Sequence, residues 1–232
     1  MSKNNKTYIH NKSIFCLTMI TYTIIKASHR SKRPFHCESF IAFRCFESVY
    51  REVRRLLSIN ALYEMECRLF RRINQHFERR MLNAYFRMIT NIGGAVLEIA
   101  LVLFLLIFAH GPLHLTAIAC AVSLITSHII VQIFKRCFPR KRPYLILDGT
   151  NHPMNPLQDN SFPSGHSTAI FSVITPLILL HPSLSLILLP IGLSVAVSRI
   201  FLGLHYPSDV LSGILLGSVT GYLCFIKIVV PF

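Results

Sequence analysis

Charged side chains are scarce in this chain: 24 Lys and Arg and 10 Asp and Glu make up only 15% of its 232 residues. An ordinary soluble domain carries about 25%. Hydrophobic residues reach 52% and the mean hydropathy is +0.50, which excludes a disordered chain and sets the composition against a soluble globule. The seven cysteines are scattered and odd in number, with no CxxC pair, so neither a disulfide framework nor a zinc site is expected. The sequence also lacks HExxH, any DxD pair and any cluster of carboxylates. No metal and no other cofactor is expected. What remains is the composition of a membrane protein.

The net charge of +14 is unevenly placed. Arg68, Arg71, Arg72, Arg79, Arg80 and Arg87 crowd the stretch before Asn91, and Lys135, Arg136, Arg140, Lys141 and Arg142 form one basic knot beyond it. Such groups contact solvent or anionic headgroups. Nucleic acid is a poor partner for a membrane-embedded chain.

The gaps between charges give the organisation. Residues 99–134, 160–198 and 210–226 contain no Asp, Glu, Lys or Arg. A bilayer crossing takes about 20 apolar residues, and Gly-Pro and His-Pro-Ser breaks divide the first two gaps. Five spans are predicted, near 92–109, 115–134, 166–180, 184–203 and 208–230. They are helices, because backbone amides in lipid must be satisfied internally. Pro176 and Pro190 are expected to kink theirs. The fold class is an all-α polytopic membrane bundle, preceded by an amphipathic helix over 66–90 that lies in the headgroup plane. Residues 1–64 form a basic, poorly ordered extension, and 65–232 the membrane domain. The apolar run at 14–25 is too short to span, and Lys26-Ala27-Ser28 makes a poor signal-peptide cleavage site.

Three polar clusters interrupt the apolar chain: Lys135 to Pro143, Pro163 to His166, and Ser198-Arg199 with His205 and Asp209. The first ends the second span and the second opens the third. Two crossings later the last cluster stands on the same side. All three are expected to meet at one membrane face.

Lys135, Arg142 and Arg199 bring three positive charges to the bilayer edge, and so call for an anion. Arginine forks fit phosphate oxygens, each charge-assisted hydrogen bond contributing about 1.5–3 kcal/mol. Ser164 and Gly165 precede a helix, whose N-terminal N–H groups add an anion cradle. His205 stands four residues before Asp209, which can accept its Nδ1 proton and leave Nε2 free to attack phosphorus. His166, on another helix, can protonate the departing oxygen and then activate water.

These clusters resemble the three signatures of the type 2 phosphatidic acid phosphatase superfamily, which also includes the vanadium haloperoxidases. KxxxxxxRP is matched by Lys135, Arg142 and Pro143, PSGH by Pro163 to His166, and SRxxxxxHxxxD by Ser198, Arg199, His205 and Asp209. The resemblance covers residues 65–232. It implies a membrane lipid phosphatase in which His205 is the nucleophile, forming a phosphohistidine, Asp209 orients it and His166 is the general acid. Lys135, Arg142, Ser164, Gly165 and Arg199 hold the phosphoryl oxygens, and Ser198 caps or supports. The substrate is a lipid phosphate, with undecaprenyl diphosphate ahead of phosphatidylglycerophosphate or phosphatidate. The resemblance also implies a plasma-membrane location with the site at the outer face, although arginines 68–87 alone would place that face inside.

Each residue also has a bland reading. A His-x3-Asp pair at a helix start is more often a cap than a dyad, and a basic knot beside a span is usually a topology signal. A non-catalytic headgroup-binding membrane protein is the alternative from another class. His110 and His114 flank a turn, His128 reads as a packed or pore-facing residue inside the second span, and His152 and His181 read as loop residues. Glu98 is costly inside the first span but is not assigned to catalysis. Asp148, Asn151, His152 and Asp159 belong to the 144–162 loop over the pocket.

Overall fold

The computed structural model describes residues 60–154, 156 and 158–230. The chain divides into two units, of which the second, Ile59–Phe232, holds all the described residues. The expectations for the 14–25 run and for the order of the extension fall outside the described residues.

The second unit is helical, with no strand among the described residues. Its elements are α1 over 60–74, α2 (Arg80–Thr90), α3 (Ala95–Phe108), α4 (Pro112–Cys137), the single turn α5 (Pro143–Ile146), α6 (Gly165–Leu180), α7 (Ser185–Phe201) and α8 (Pro207–Ile228). Helices therefore stand at all five predicted span positions. Three are long and apolar enough to cross a bilayer: α4, α7 with the 3-10 turn before it, and α8. A fourth candidate joins α2 to α3 through a 48° bend. The apolar α6 has 16 residues, about 24 Å at 1.5 Å per residue and shorter than a bilayer core of about 30 Å.

Local chemistry sets the boundaries. Proline opens α4 and α8, where its missing N–H has no intrahelical partner to lose. Lys135 and Arg136 fall in the last turn of α4, where positive charge suits the helix dipole. Ser164 caps α6 by accepting from the Ser167 N–H. Pro176 and Pro190 lie within helices that continue through them.

The short α6 occupies the centre, packed against α3, α4, α7 and α8. Much of its surface is buried, including Ser167, Thr168, Phe171, Val173 and Ile174. Protein rather than lipid surrounds it, which removes the length requirement that a lipid-exposed helix must meet. On α8, Gly213, Gly217 and Gly221 form a stripe facing it. A Cβ at Gly217 would come within 2.3 Å of the Thr168 carbonyl oxygen, and one at Gly213 within 2.7 Å of that of Ser164. Small residues at a four-residue spacing let two membrane helices approach this closely.

The 66–90 stretch departs from its expected form. It comprises parts of two helices, with a turn over 75–78 between them. Part of its apolar stripe packs on protein: Phe77 stacks on Phe201 with ring centroids 6.0 Å apart, Phe86 approaches the same ring at 4.5 Å, and Phe70 is fully buried near Tyr206, while Leu69, Met81, Leu82 and Tyr85 stay exposed. The end of α7 offers this stripe a ready apolar surface. The six arginines of α1, α2 and the turn between them stay exposed.

Candidate active site

The turn between α7 and α8 places the third cluster. Gly203 adopts φ +74°, a left-handed conformation that a side chain would strain. The reversal lets the N–H groups of Leu204 and His205 both donate to the Arg199 carbonyl, at 3.1 and 3.2 Å. His205 is thereby held beside the end of α7. Across the α6–α8 contact, the Ser164 N–H donates to the Asp209 carbonyl at 3.0 Å, tying the second cluster to the third.

Five of the expected residues, Lys135, Arg142, Gly165, His166 and His205, line a single cavity of about 430 Å³. Arg142 is buried and its guanidinium links the clusters. Nη1 donates to the Leu204 carbonyl at 2.8 Å and contacts His205 Nε2 at 3.1 Å, while Nε donates to the Asp159 carbonyl at 2.8 Å. A guanidinium can only donate. His205 Nε2 is therefore the unprotonated nitrogen and Nδ1 carries the hydrogen. Arg199, also buried, donates one N–H to the Thr90 hydroxyl at 2.8 Å, and its Nε and Nη2 have no partner. Buried guanidinium donors are rarely left unpaired, although Arg199 is not among the residues that line the cavity.

Asp159 is the residue of the 144–162 loop that enters the cavity. Its carboxylate pairs with both Lys135 and Arg142. Burial works to raise its pKa, but the two cations outweigh burial and hold it at about 2. In this form an internal carboxylate occupies two cations that could take a phosphoryl group. Asn151 instead pairs with Asn74 through its backbone, and the His152 ring lies against Tyr144.

Asp209 is buried, and its environment differs from the simple dyad. One carboxylate oxygen accepts from the Tyr206 N–H at 2.9 Å and from the Ser161 hydroxyl, and the other from Arg140 Nη1 at 2.7 Å. It is thus a helix cap held by three donors. His205 Nδ1 stands 3.8 Å away, beyond hydrogen-bond length, and has no other partner. Burial, aided by the charges of Arg142 and Arg199, lowers the His205 pKa to about 4 against the opposing pull of Asp209.

Both serines of the motifs make structural contacts, as expected for Ser198. Ser198 donates its hydroxyl to the Val195 carbonyl one turn back. Ser164 uses its hydroxyl as the α6 cap and its N–H on Asp209, so the anion cradle falls to the first-turn N–H groups of α6, which have no intrahelical acceptors. Gly165 leaves open space, since a Cβ there would meet no atom within 4 Å. Glu98 is buried with both oxygens unpartnered and does not line the cavity.

Sequence reasoning missed the layer behind Asp209. Arg140 bridges Asp209 and Glu66 of α1, and its guanidinium lies 4.0 Å from the centre of the Tyr206 ring. Glu66 also accepts from the Ser208 N–H at 3.2 Å. Nothing in the spacing of the basic knot separates Arg140 from Arg136 or Lys141. Among the described residues, no group of three or more His, Cys, Asp or Glu side chains could hold a metal ion.

With this geometry in place, comparison with known proteins is decisive. The family model of the PAP2 superfamily matches residues 116–229, a stretch that contains all three signatures. That segment, just under half of the chain, belongs to the PAP2 superfamily. Among curated relatives, it is 30% identical over 112 residues to the bacitracin transport permease protein BcrC of Bacillus licheniformis, covering 48% of this chain and 55% of that protein. It is 28% identical over 156 residues to an undecaprenyl-diphosphatase of Sulfolobus acidocaldarius, covering 67% of this chain and 74% of the relative. The crystal structure of Aquifex aeolicus LpxE superposes with a TM-score of 0.61 at 27% identity, over 68% of this chain and 93% of the other. The chain thus spans about half the length of the first curated relatives it matches. Helices α1 and α2 precede the matched segment, yet Glu66 and Thr90 reach its site.

Proposed function

We propose that this protein is a multi-pass membrane hydrolase that removes a phosphoryl group from a lipid phosphomonoester or diphosphate. The observation that carries this reading is the unprotonated Nε2 of His205 beside Arg142, with the buried Nε and Nη2 of Arg199 unpartnered. A nucleophile and donors for an oxyanion are thereby present before any ligand arrives. Nε2 attacks phosphorus, and a P–N bond forms as the bond to the leaving oxygen breaks. His166 gives that oxygen a proton. In the second half, His166 takes a proton from water as its oxygen attacks the phosphohistidine, releasing phosphate and regenerating His205. Lys135, Arg142, Arg199 and the N–H groups at the start of α6 hold the phosphoryl oxygens, with Ser164 shaping that turn. Asp209 acts on His205 through its charge at 3.8 Å and through the backbone turn it caps.

Five crossings, by α3, α4, α6, α7 and α8, support a site at one membrane face. The apolar flank of the cavity suits a lipid tail. Undecaprenyl diphosphate leads as substrate, in keeping with the name of the archaeal relative, ahead of phosphatidylglycerophosphate or phosphatidate. The protein works in the plasma membrane with its site outward.

The test is phosphate release by purified protein in detergent with EDTA, using these three lipids and the His205→Ala variant. Release that survives EDTA and disappears in the variant is expected. Turnover retained by folded His205→Ala removes the nucleophile assignment. No release from any lipid returns the chain to a headgroup-binding role.

A further inference from the structure

The cavity continues past the catalytic cluster along α4. From Lys135 toward the membrane interior, the same wall presents Gln132 and His128, one and two turns away, with Ile125 and Ile129 beside them. Facing them are Ala95 and Ile99 of α3 and Ala169 of α6. In this deeper half the two polar side chains stand in an apolar groove. Both are exposed to it, and their Nε2 atoms lie 3.4 Å from each other. Among the described residues neither has another hydrogen-bond partner. Polar groups at the depth of a spanning helix are costly unless satisfied, and a hydrocarbon tail alone would leave these two unused.

Their spacing identifies what they hold. At 1.5 Å per residue, Gln132 lies about 4.5 Å below Lys135 along the helix and His128 about 10 Å below it. With the scissile phosphoryl group held by Lys135, Arg142 and Arg199, the next group toward the tail arrives at Gln132. In a lipid diphosphate that group is the second phosphate, the leaving group of the proposed reaction. One Gln132 N–H is directed at His128 Nε2, which leaves the other amide N–H and the Nδ1–H of the ring as donors, enough to bind phosphate oxygens without adding another cation. A phosphomonoester places carbon there instead. We infer that Gln132 and His128 form the subsite for the non-scissile phosphate of a lipid diphosphate, and so give the site its preference for diphosphates. This inference rests on the phosphatase reading of His205.

Farnesyl diphosphate and farnesyl monophosphate share a tail and differ only in the second phosphate. The measurement is the ratio of their kcat/KM values in detergent for the wild type, Gln132→Leu, Gln132→Glu and His128→Leu. The ratio should fall at least fivefold in Gln132→Leu, chiefly through KM for the diphosphate. It should fall further in Gln132→Glu, where a carboxylate faces the second phosphate, and His128→Leu should move it in the same direction. A smaller change in both Gln132 variants overturns the subsite, and so does an equal loss on both substrates, which marks a packing role. Phosphate release from neither substrate by the wild type overturns the phosphatase reading itself, a result distinct from release with an unchanged ratio.

Discussion

At the scale of single residues, His205 carries the proposed chemistry and is buried among positive charges, Arg142 and Arg199. Burial, reinforced by those charges, sets its pKa at about 4, below the roughly 6.5 of a free imidazole. As the pH falls below about 6.5, the unfolded chain takes up this proton first. Stability is therefore complete above pH 6.5 and is lost as the pH approaches 4, by up to roughly 3 kcal/mol at 1.36 kcal/mol per pKa unit. Melting temperatures at pH 7 and pH 4.5 should differ more for the wild type than for His205→Asn, which cannot titrate there. Equal differences would show that His205 is not held neutral by the fold. The residues proposed to bear chemistry were legible because three short motifs name them. Arg140, Glu66 and Thr90 were not, because their roles arise from contacts spanning 69 to 142 positions of sequence and leave no local pattern.

Among the elements, the contact between α6 and α8 decides whether the second and third clusters register. Gly217 allows that contact, since its Cβ would meet the Thr168 carbonyl oxygen, a backbone atom of α6, at 2.3 Å. The helices must separate to admit even a methyl group, and overpacking of this kind costs about 1–3 kcal/mol. Gly217→Ala should lower the melting temperature in detergent, while Gly165→Ala, with no atom within 4 Å of the added carbon, should not. Similar shifts in the two variants would remove the close-packing explanation. The four-residue glycine spacing was visible in the chain, but its partner was not, because a stripe of small residues does not say which helix it faces. The charge-free gaps located helices well, since lipid forces helical backbone. They did not show that 66–90 divides at a turn over 75–78, nor that the aromatic end of α7 takes Phe77 and Phe86 from its apolar stripe, because an amphipathic pattern suits a headgroup boundary and a protein surface equally.

For the whole molecule, two tendencies oppose each other in setting which way the cavity faces. The exposed arginines of α1, α2 and the intervening turn favour the cytoplasm by the positive-inside bias. They lie on the same end of the bundle as the site, since Glu66 and Thr90 touch its residues. The outward placement proposed for the enzyme therefore requires these arginines to be outside as well, where they would meet headgroups rather than determine topology. Cys137 can decide between the two. It is exposed at the end of α4, two residues past Lys135, and so reports the face of the site. In a variant retaining Cys137 alone, with the other six cysteines replaced, a membrane-impermeant maleimide should label intact cells. Phosphatase activity of the same variant in detergent would verify that its fold is kept. Labelling only after permeabilisation would put the cavity in the cytoplasm, and the arginines would then be acting as the topology signal their number implies.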